Sequence, residues 1–485
     1  MKKAIVIGAG IGGIAASIRL QAKGYQVLVF EANTYPGGKL SQIGNKKYRF
    51  DAGPSLFTMP EKVIELLNIN GSKPPRFKYQ RLDEVCRYFY EDGTVVKGLS
   101  NGALFAKEIK EKLGVSEDVV KKYLSKSEFL FNSVNSLFLE KSLHKFKTYF
   151  SFKTLFSFLK LPFFNIGKSM NEFNEKHLDN SKLVQLFNRY ATYNGSNPYQ
   201  APAILNLIPH LEFGRGAFYP EKGMHSITQS LYEKATSSGV KFYFNSKVKR
   251  INTGHSKIES VEVDGRCYEA DIFVSNMDVV PFYKNLLPNK KQPKKFINQD
   301  RSSSALIFYW GIRKEFKKLI LHNILFSNNY KDEFDYIFNK SDVYCDPTIY
   351  INVSSKISQT DAPKGNENWF VMINVPGDKG QNWDELIARS KKYIISKINR
   401  NFKVDIESLI EFEDVLDPRL IEKKTGSFQG SLYGNSSNSK KSAFFRHPNF
   451  SKEINNLYFC GGSVHPGGGI PLALSSAKIL SELVD

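Results

Sequence analysis

The chain has 485 residues, of which 41% are hydrophobic and 24% charged. That length allows about two to three domains, and the apolar content excludes a disordered chain. Lys and Arg outnumber Asp and Glu by 68 to 48, a formal charge of +20, which favours an anionic partner: nucleic acid, an acidic ligand or the anionic face of a membrane. Cys86, Cys267, Cys345 and Cys460 are too scattered for a disulfide framework or a zinc site and fit a reducing cytoplasm. No metal-ligand set is expected. No run of about 18 apolar residues occurs, so no membrane-spanning helix is expected, and the apolar stretch 4–7 is too short for a signal peptide.

Residues 3–7, Lys-Ala-Ile-Val-Ile, read as a buried parallel strand. Gly8-Ala9-Gly10-Ile11-Gly12-Gly13 follows, then a helical period through Leu20, a helix stop at Gly24 and a second strand over 25–30 that closes at Glu31. This is a complete βαβ unit. Gly8 permits the tight turn, Gly10 lets backbone approach a pyrophosphate, and Gly13 lets helix pack on strand. The free amides at the helix start face the phosphates, and Glu31, followed by Ala32, stands where a carboxylate accepts from ribose hydroxyls. A second glycine pair, Gly37-Gly38, precedes Lys39 and Leu40. This pair resembles the Gly-Gly-Arg extension of flavoproteins, with Lys39 in place of Arg. A lysine brings a point charge where arginine brings a planar fork, so a looser phosphate contact is expected.

Further along, residues 81–219 read as mostly helical, for example over 117–131 and 181–190. Within them, 141–170 carries six lysines, seven phenylalanines and no acid. Such a segment suits peripheral membrane docking, with lysine stems snorkelling around inserted rings. His210 and Glu212, in Ile-Pro-His-Leu-Glu-Phe, are the acid–base candidates. Strands are expected near 240–251, 270–278, 304–309 and 370–375, and a helix over 383–399. The Ser/Asn/Gly-rich stretch 426–441 reads as a mobile loop. No nucleic-acid-reading motif is present, so nucleic acid is set aside as partner. A second Gly-x-Gly-x-x-Gly for a nicotinamide is missing, which leaves oxygen or a membrane quinone as electron acceptor.

Near the end, Leu457-Tyr458-Phe459-Cys460-Gly461-Gly462 runs into His465-Pro466-Gly467-Gly468-Gly469-Ile470-Pro471-Leu472, a strand, a glycine turn and a helix expected over 473–483. With Tyr48-Arg49-Phe50-Asp51-Ala52-Gly53-Pro54-Ser55, Asn197-Pro198 and Phe218-Tyr219-Pro220-Glu221-Lys222-Gly223-Met224, it resembles the phytoene desaturase family of FAD-dependent carotenoid desaturases over essentially the whole chain. The resemblance implies an α/β fold: a discontinuous Rossmann-type FAD-binding domain (1–80, 220–290 and 451–485), a helical substrate and membrane-associated insertion (81–219), and a mixed α+β substrate domain with a β-sheet (291–450).

It further implies that FAD is held by Gly8, Gly10, Ile11, Gly12, Gly13, Glu31, Ala32, Gly38, Lys39, Leu40, Gly53, Pro54 and Ser55. From the rest of the chain it adds Val248 (through its backbone, beside the adenine), Asn276, Gly461, Gly462, Gly469, Ile470 and Pro471. Some relatives carry an acid and an arginine after a Ser-Phe pair. Here Lys153, Thr154 and Ser157 follow Ser151-Phe152, so that carry-over fails. The implied activity is desaturation of an acyclic or monocyclic carotenoid by hydride transfer to flavin N5. The texture of the chain is nearest the branch acting at the 3,4 bond of 1-hydroxylated carotenoids. Phytoene desaturation and carotenoid ketolase or oxidase activity are the alternatives, with FAD amine oxidase and flavin-free prenyl-lipid binding more distant. A cytoplasmic enzyme on the inner face of the cell membrane is expected.

Overall fold

The structure is a computed structural model and describes residues 1–71, 76–145, 164–165 and 167–484. Most of the lysine- and phenylalanine-rich segment 141–170, on which the membrane-docking expectation rests, lies outside the described residues. Among the described residues no helix is long and apolar enough to cross a membrane.

The N-terminal unit forms as its pattern dictates. Strand β1 (Lys3–Ile7), buried from its second residue onward, leads through the glycine turn into helix α1 (Ile11–Ala22) and then strand β2 (Gln26–Phe30). The two strands pair in parallel. Lys241–Tyr243 extends this sheet beyond β2, while Ile272–Ser275 and then Leu457–Phe459 extend it on the other side of β1, all in parallel. Strand order therefore reverses at β1. The glycine turn opens into the crevice at that switch point, where open α/β sheets bind their ligands. The C-terminal helix Ile470–Leu483 packs against α1, so the two chain ends share one layer. A three-stranded antiparallel ribbon, Val248–Thr253, Ile258–Val263 and Arg266–Glu269, flanks the sheet.

The second sheet has seven strands in the order Ile410–Leu416, Ser304–Ile312, Glu367–Val375, Ile349–Asn352, His322–Leu325, Glu84–Phe89 and Val95–Leu99. The last two come from the stretch read as helical. Glu84–Phe89 enters by parallel pairing with His322–Leu325, a partner far away in sequence, which no local periodicity can announce. Side chains alternate across the sheet as the pleat requires. Phe308, Trp310 and Trp369 pack toward the helix Trp383–Phe402, while Ile307, Tyr309 and Phe370 face the opposite side with Tyr48 and Phe50. The helices of the first insertion include Gly102–Leu113, Glu117–Phe138, Met170–His177 and Ser181–Asn188.

The stretch 426–441, expected to be a mobile loop, packs inward at several of its residues. Ser427, Ser431, Asn435, Ser436 and Ser437 are buried. Its polar groups are spent on backbone and side chains inside: Arg301 reaches the Asn435 amide oxygen at 2.6 Å and the Ser431 hydroxyl at 2.9 Å. Small polar residues serve here because they satisfy buried groups without filling the adjoining cavity.

Candidate active site

Both chain ends meet at Asn276. Gly8 adopts φ of +98°, and a Cβ at Gly13 would fall 2.1 Å from the Gly8 carbonyl oxygen, so helix and strand approach each other more closely than any side chain allows. A Cβ at Gly10 would lie 2.5 Å from Asn276 Oδ1, and one at Gly12 would lie 2.8 Å from Asn276 Nδ2 and 3.1 Å from the Gly461 Cα. The Asn276 amide also donates to the Cys460 carbonyl at 3.2 Å. Gly461 has φ of +109°, and its amide donates to Ser476 Oγ at 2.8 Å. Gly462 lies against Gly468.

Two helix N-termini therefore reach the crevice, and neither is capped. The first turn of α1 starts at Gly10 with no side-chain cap and no acid. The helix Ile470–Leu483 starts at Gly469 with no cap and with Pro471 in its first turn. Open space surrounds Gly469, where a Cβ would meet nothing within 4 Å. Uncapped amides, dipoles of the same sign and a cradle without side chains suit a pyrophosphate and a flat ring. The residues thus fit FAD. Glu31, at the end of β2, accepts from the Ala9 amide at 2.7 Å and the Asn33 amide at 2.8 Å. Ala32 is exposed beside it. The Glu31 carbonyl accepts from the Ser246 amide, two residues before buried Val248.

Lys39 does not stand free to meet a phosphate. Its ammonium donates at 2.8 Å to the carbonyls of both Ser431 and Leu432, and desolvation lowers its pKa to about 8. Leu40 is a core residue, and its carbonyl accepts from Thr228 Oγ1 at 2.8 Å. Asp51 explains the motif around it. Its carboxylate accepts from the Met224 and His225 amides at 2.8 and 2.9 Å, capping the helix His225–Ser237, and it pairs with Arg49 at 2.6 Å. Residues 53–55 are thereby held against the crevice.

One continuous cavity of about 610 Å³ runs from Gly38 and the start of the helix Ile470–Leu483 to the second sheet, while Gly8–Gly13, Glu31, Asn276, Gly461 and Gly462 are not on its wall. Gly38, Lys39, residues 53–55 and residues 469–471 form one end of its wall. Phe131 and Val134 from the helix Glu117–Phe138, Leu207 and Leu211, and Ile307 and Phe370 from the sheet make the rest largely apolar. The volume is within the range of about 300–1,000 Å³ for small-molecule sites.

One polar pole interrupts the apolar wall. Arg189 and Glu212, 6% and 1% exposed at their side chains, form an ion pair at 2.9 Å. Tyr190 OH donates to Glu212 Oε2 at 2.5 Å, Tyr193 OH donates to Glu212 Oε1, and the Arg189 guanidinium donates to Tyr88 OH at 2.6 Å. Burial works against the Arg189 charge, yet the surrounding phenols and the carboxylate hold its pKa above the ordinary value. Burial likewise raises the pKa of Tyr193. Next to this group, Ser55 Oγ and Tyr350 OH are 2.7 Å apart, and Tyr350 OH lies 2.7 Å from His322 Nδ1.

The acid–base candidates fare differently. Glu212 is on the cavity wall, but its lone pairs are occupied by Arg189 and two phenols, so it organises the pole and is not a free base. His210 is not on the wall: its ring lies against Phe131 with centroids 5.1 Å apart, and burial lowers its pKa. The one-turn helix Pro209–Phe213 puts Glu212 inward and turns His210 away. Arg189, Tyr193, His322 and Tyr350 escaped the sequence reading because each stands outside any motif. His465 also reaches the wall; it is buried and hydrogen-bonds the Lys141 carbonyl at 2.8 Å, and burial lowers its pKa to about 4.

A parallel sheet with a glycine-lined switch point, two uncapped helix starts and an apolar cavity beside them define a dinucleotide-binding flavoprotein oxidoreductase. The chain belongs to the family of flavin containing amine oxidoreductases, which it matches over residues 11–484. It is 54% identical to the 1-hydroxycarotenoid 3,4-desaturase of Flavobacterium sp. (strain P99-3), covering 100% of this chain and 99% of that protein. It is 31% identical to the 4,4'-diapolycopene oxygenase of Methylomonas sp, covering 100% of this chain and 98% of that protein. Among solved structures, an oxidoreductase from Methanosarcina mazei shares the fold with a TM-score of 0.65 at 14% identity, over 100% of both chains. Putrescine oxidase bound to putrescine shares it with a TM-score of 0.64 at 13% identity, over 99% of this chain and 97% of that chain.

Proposed function

We propose that this protein is an FAD-dependent carotenoid desaturase that introduces a C=C bond at the 3,4 position of a 1-hydroxycarotenoid. The observation that carries the proposal is the cavity that begins at Gly38 and the glycine start of the helix Ile470–Leu483 and continues between apolar walls. The 54% identity to a 1-hydroxycarotenoid 3,4-desaturase over the full chain supports the choice of substrate. Two hydrogens leave adjacent carbons, one with its electron pair and one as a proton. FAD, when bound, would supply the two-electron acceptor for the hydride.

The chain's own residues bind, orient and exclude water. Gly10, Ile11, Gly12 and Gly13 offer amides to the pyrophosphate, while the Gly8 amide is spent on the Phe30 carbonyl at 2.8 Å and Gly8 makes the turn; Glu31 offers a carboxylate to the ribose, and Gly461, Gly462 and residues 469–471 leave room for the ring. The apolar wall holds the polyene dry and fixes its approach, which is the larger part of what the protein contributes to such a reaction. An allylic cation is stabilised by its own conjugation, so no strong protein base is called for. Residues 1–80, 220–290 and 451–485 act as the FAD-binding domain. Residues 81–219 and 291–450 act as the substrate side and share the seven-stranded sheet.

A carotenoid is dissolved in membrane, and the charge of +20 supports peripheral contact with an anionic inner leaflet. Cosedimentation with anionic vesicles, lost at high salt and with neutral vesicles, is the expected result. A quinone or oxygen takes the electrons from the reduced enzyme. Stopped-flow reoxidation by a quinone analogue slower than turnover rejects the quinone. Expression in cells making 1-hydroxylated carotenoids should give a pigment absorbing at longer wavelength, because conjugation is extended. An unchanged spectrum with phytoene, lycopene and 1-hydroxylated substrates alike refutes the proposal.

A further inference from the structure

His322 opens the strand His322–Leu325, is 2% exposed, and lines the cavity. Its Nδ1 lies 2.7 Å from Tyr350 OH and 3.2 Å from the Asn352 amide nitrogen, which can only donate. Nδ1 is therefore an acceptor, and a neutral ring carries its proton on Nε2. Burial, reinforced by the nearby Arg189 cation, lowers the His322 pKa to about 3, so the ring is neutral at ordinary pH. Nε2 has no hydrogen-bond partner among the described residues. A buried donor left unpaired is uncommon in a folded protein and calls for an explanation, and for a residue on a cavity wall an atom of the bound ligand supplies one. His322 is two hydrogen bonds from Ser55, on the cofactor end of the wall, through Tyr350.

We propose that His322 Nε2 donates a hydrogen bond to the hydroxyl oxygen of the substrate's end group, and that this contact makes the enzyme select a 1-hydroxylated polyene over the same polyene without the hydroxyl. The inference rests on the carotenoid reading above and adds the residue that sets end-group specificity. In a 1-hydroxycarotenoid a single methylene separates the hydroxyl-bearing carbon from the 3,4 bond. An anchor close to Ser55 therefore sets that bond beside the cofactor end of the cavity. The apolar wall receives the rest of the chain whether or not the hydroxyl is present, so His322 contributes discrimination and little general affinity. A hydrocarbon end group leaves the Nε2 donor unpaired, and a site built around a hydroxyl rejects an analogue without it for that reason.

The test uses the flavin-loaded full chain in vesicles of anionic lipid, with a 1-hydroxylated polyene and its hydroxyl-free counterpart as separate substrates. The wild type should favour the hydroxylated polyene in kcat/KM by roughly ten- to hundredfold. His322→Leu should bring the two substrates within a few fold of each other. The loss should fall on KM for the hydroxylated one, with flavin content retained. His322→Gln, whose amide can donate from nearly the same place, should keep a measurable part of the preference and serves should the leucine variant fold poorly. If His322→Leu retains the wild-type preference, or both variants lose activity on the two substrates equally while keeping flavin, this inference is overturned and the carotenoid reading stands. A wild-type enzyme that converts neither polyene overturns both.

Discussion

The Arg189–Glu212 pair allows a quantitative test of how the polar pole is held together. Both side chains are almost fully buried, and their 2.9 Å contact is completed by Tyr88, Tyr190 and Tyr193. Glu212→Ala removes the only carboxylate among these groups and leaves the guanidinium in a dry site with phenols that cannot neutralise it. Breaking one side of such a pair costs about 3–5 kcal/mol. Unfolding entropy is about 2 cal/mol/K per residue, so a chain of this length loses roughly 1 °C of melting temperature per kcal/mol, and a fall of about 3–5 °C is expected. The double replacement Arg189→Met with Glu212→Leu removes both charges and fills the space with apolar atoms, and should recover most of that loss. Calorimetric melting of the flavin-loaded protein reads both. A Glu212→Ala variant that melts with the wild type, or a double variant that falls as far as the two singles added together, refutes the claim that the pole is a mutually compensated buried pair.

Other expectations follow from the same geometry. Gly13→Ala places a methyl carbon 2.1 Å from the Gly8 carbonyl; the strand–helix turn must open, and the purified variant should lose flavin absorbance. Asp51→Asn keeps the shape but loses the charge that caps the helix His225–Ser237 and pairs with Arg49; a loss of about 1–2 kcal/mol is expected in urea unfolding, with weaker flavin retention because residues 53–55 are tethered there.

Stability should also fall in mild acid. His322 and His447, each lowered to about 3, and His465, lowered to about 4, are buried and neutral, and burial is the main cause in each. Between the unfolded value of about 6.5 and these folded values, the unfolded chain binds more protons. Their contribution is thus complete above pH 6.5 and is lost progressively as pH falls toward 4. Denaturant midpoints measured from pH 7 to pH 5 should decline, and a His447→Gln variant should show a shallower decline; identical slopes contradict this assignment.

The glycine cradle was legible in the sequence because it is built from local rules. Gly8, Gly10, Gly12 and Gly13 sit within one turn, and the strand and helix around them carry their own periods. The end at Gly461 and Gly469 reads the same way, and Asn276 follows a recognisable strand. The polar pole was not legible. Arg189 lies in a short 3-10 turn, Glu212 on a one-turn helix, His322 and Tyr350 on neighbouring strands and Ser55 in a loop. No periodicity or spacing connects them. Lys39 shows the intermediate case: its position was readable, while its partners, the carbonyls of Ser431 and Leu432, are supplied by a stretch whose composition read only as a mobile loop.

The amino-acid sequence by itself determined the dinucleotide-binding unit at the N-terminus, the matching glycine turn near the C-terminus and membership of a flavin-using family. Backbone conformations that only glycine adopts, and strand and helix periods, are properties of contiguous residues. Only the tertiary structure decided that these two turns close on Asn276, that Glu84–Phe89 completes the second sheet, and that Arg189, Glu212, His322 and Tyr350 gather at one pole of a single cavity. Those outcomes depend on which distant surfaces bury each other. Burial then changes what each group can do: the same histidine that is an ordinary base in water becomes, beside Tyr350 and Asn352, a neutral donor whose Nε2 has no hydrogen-bond partner among the described residues.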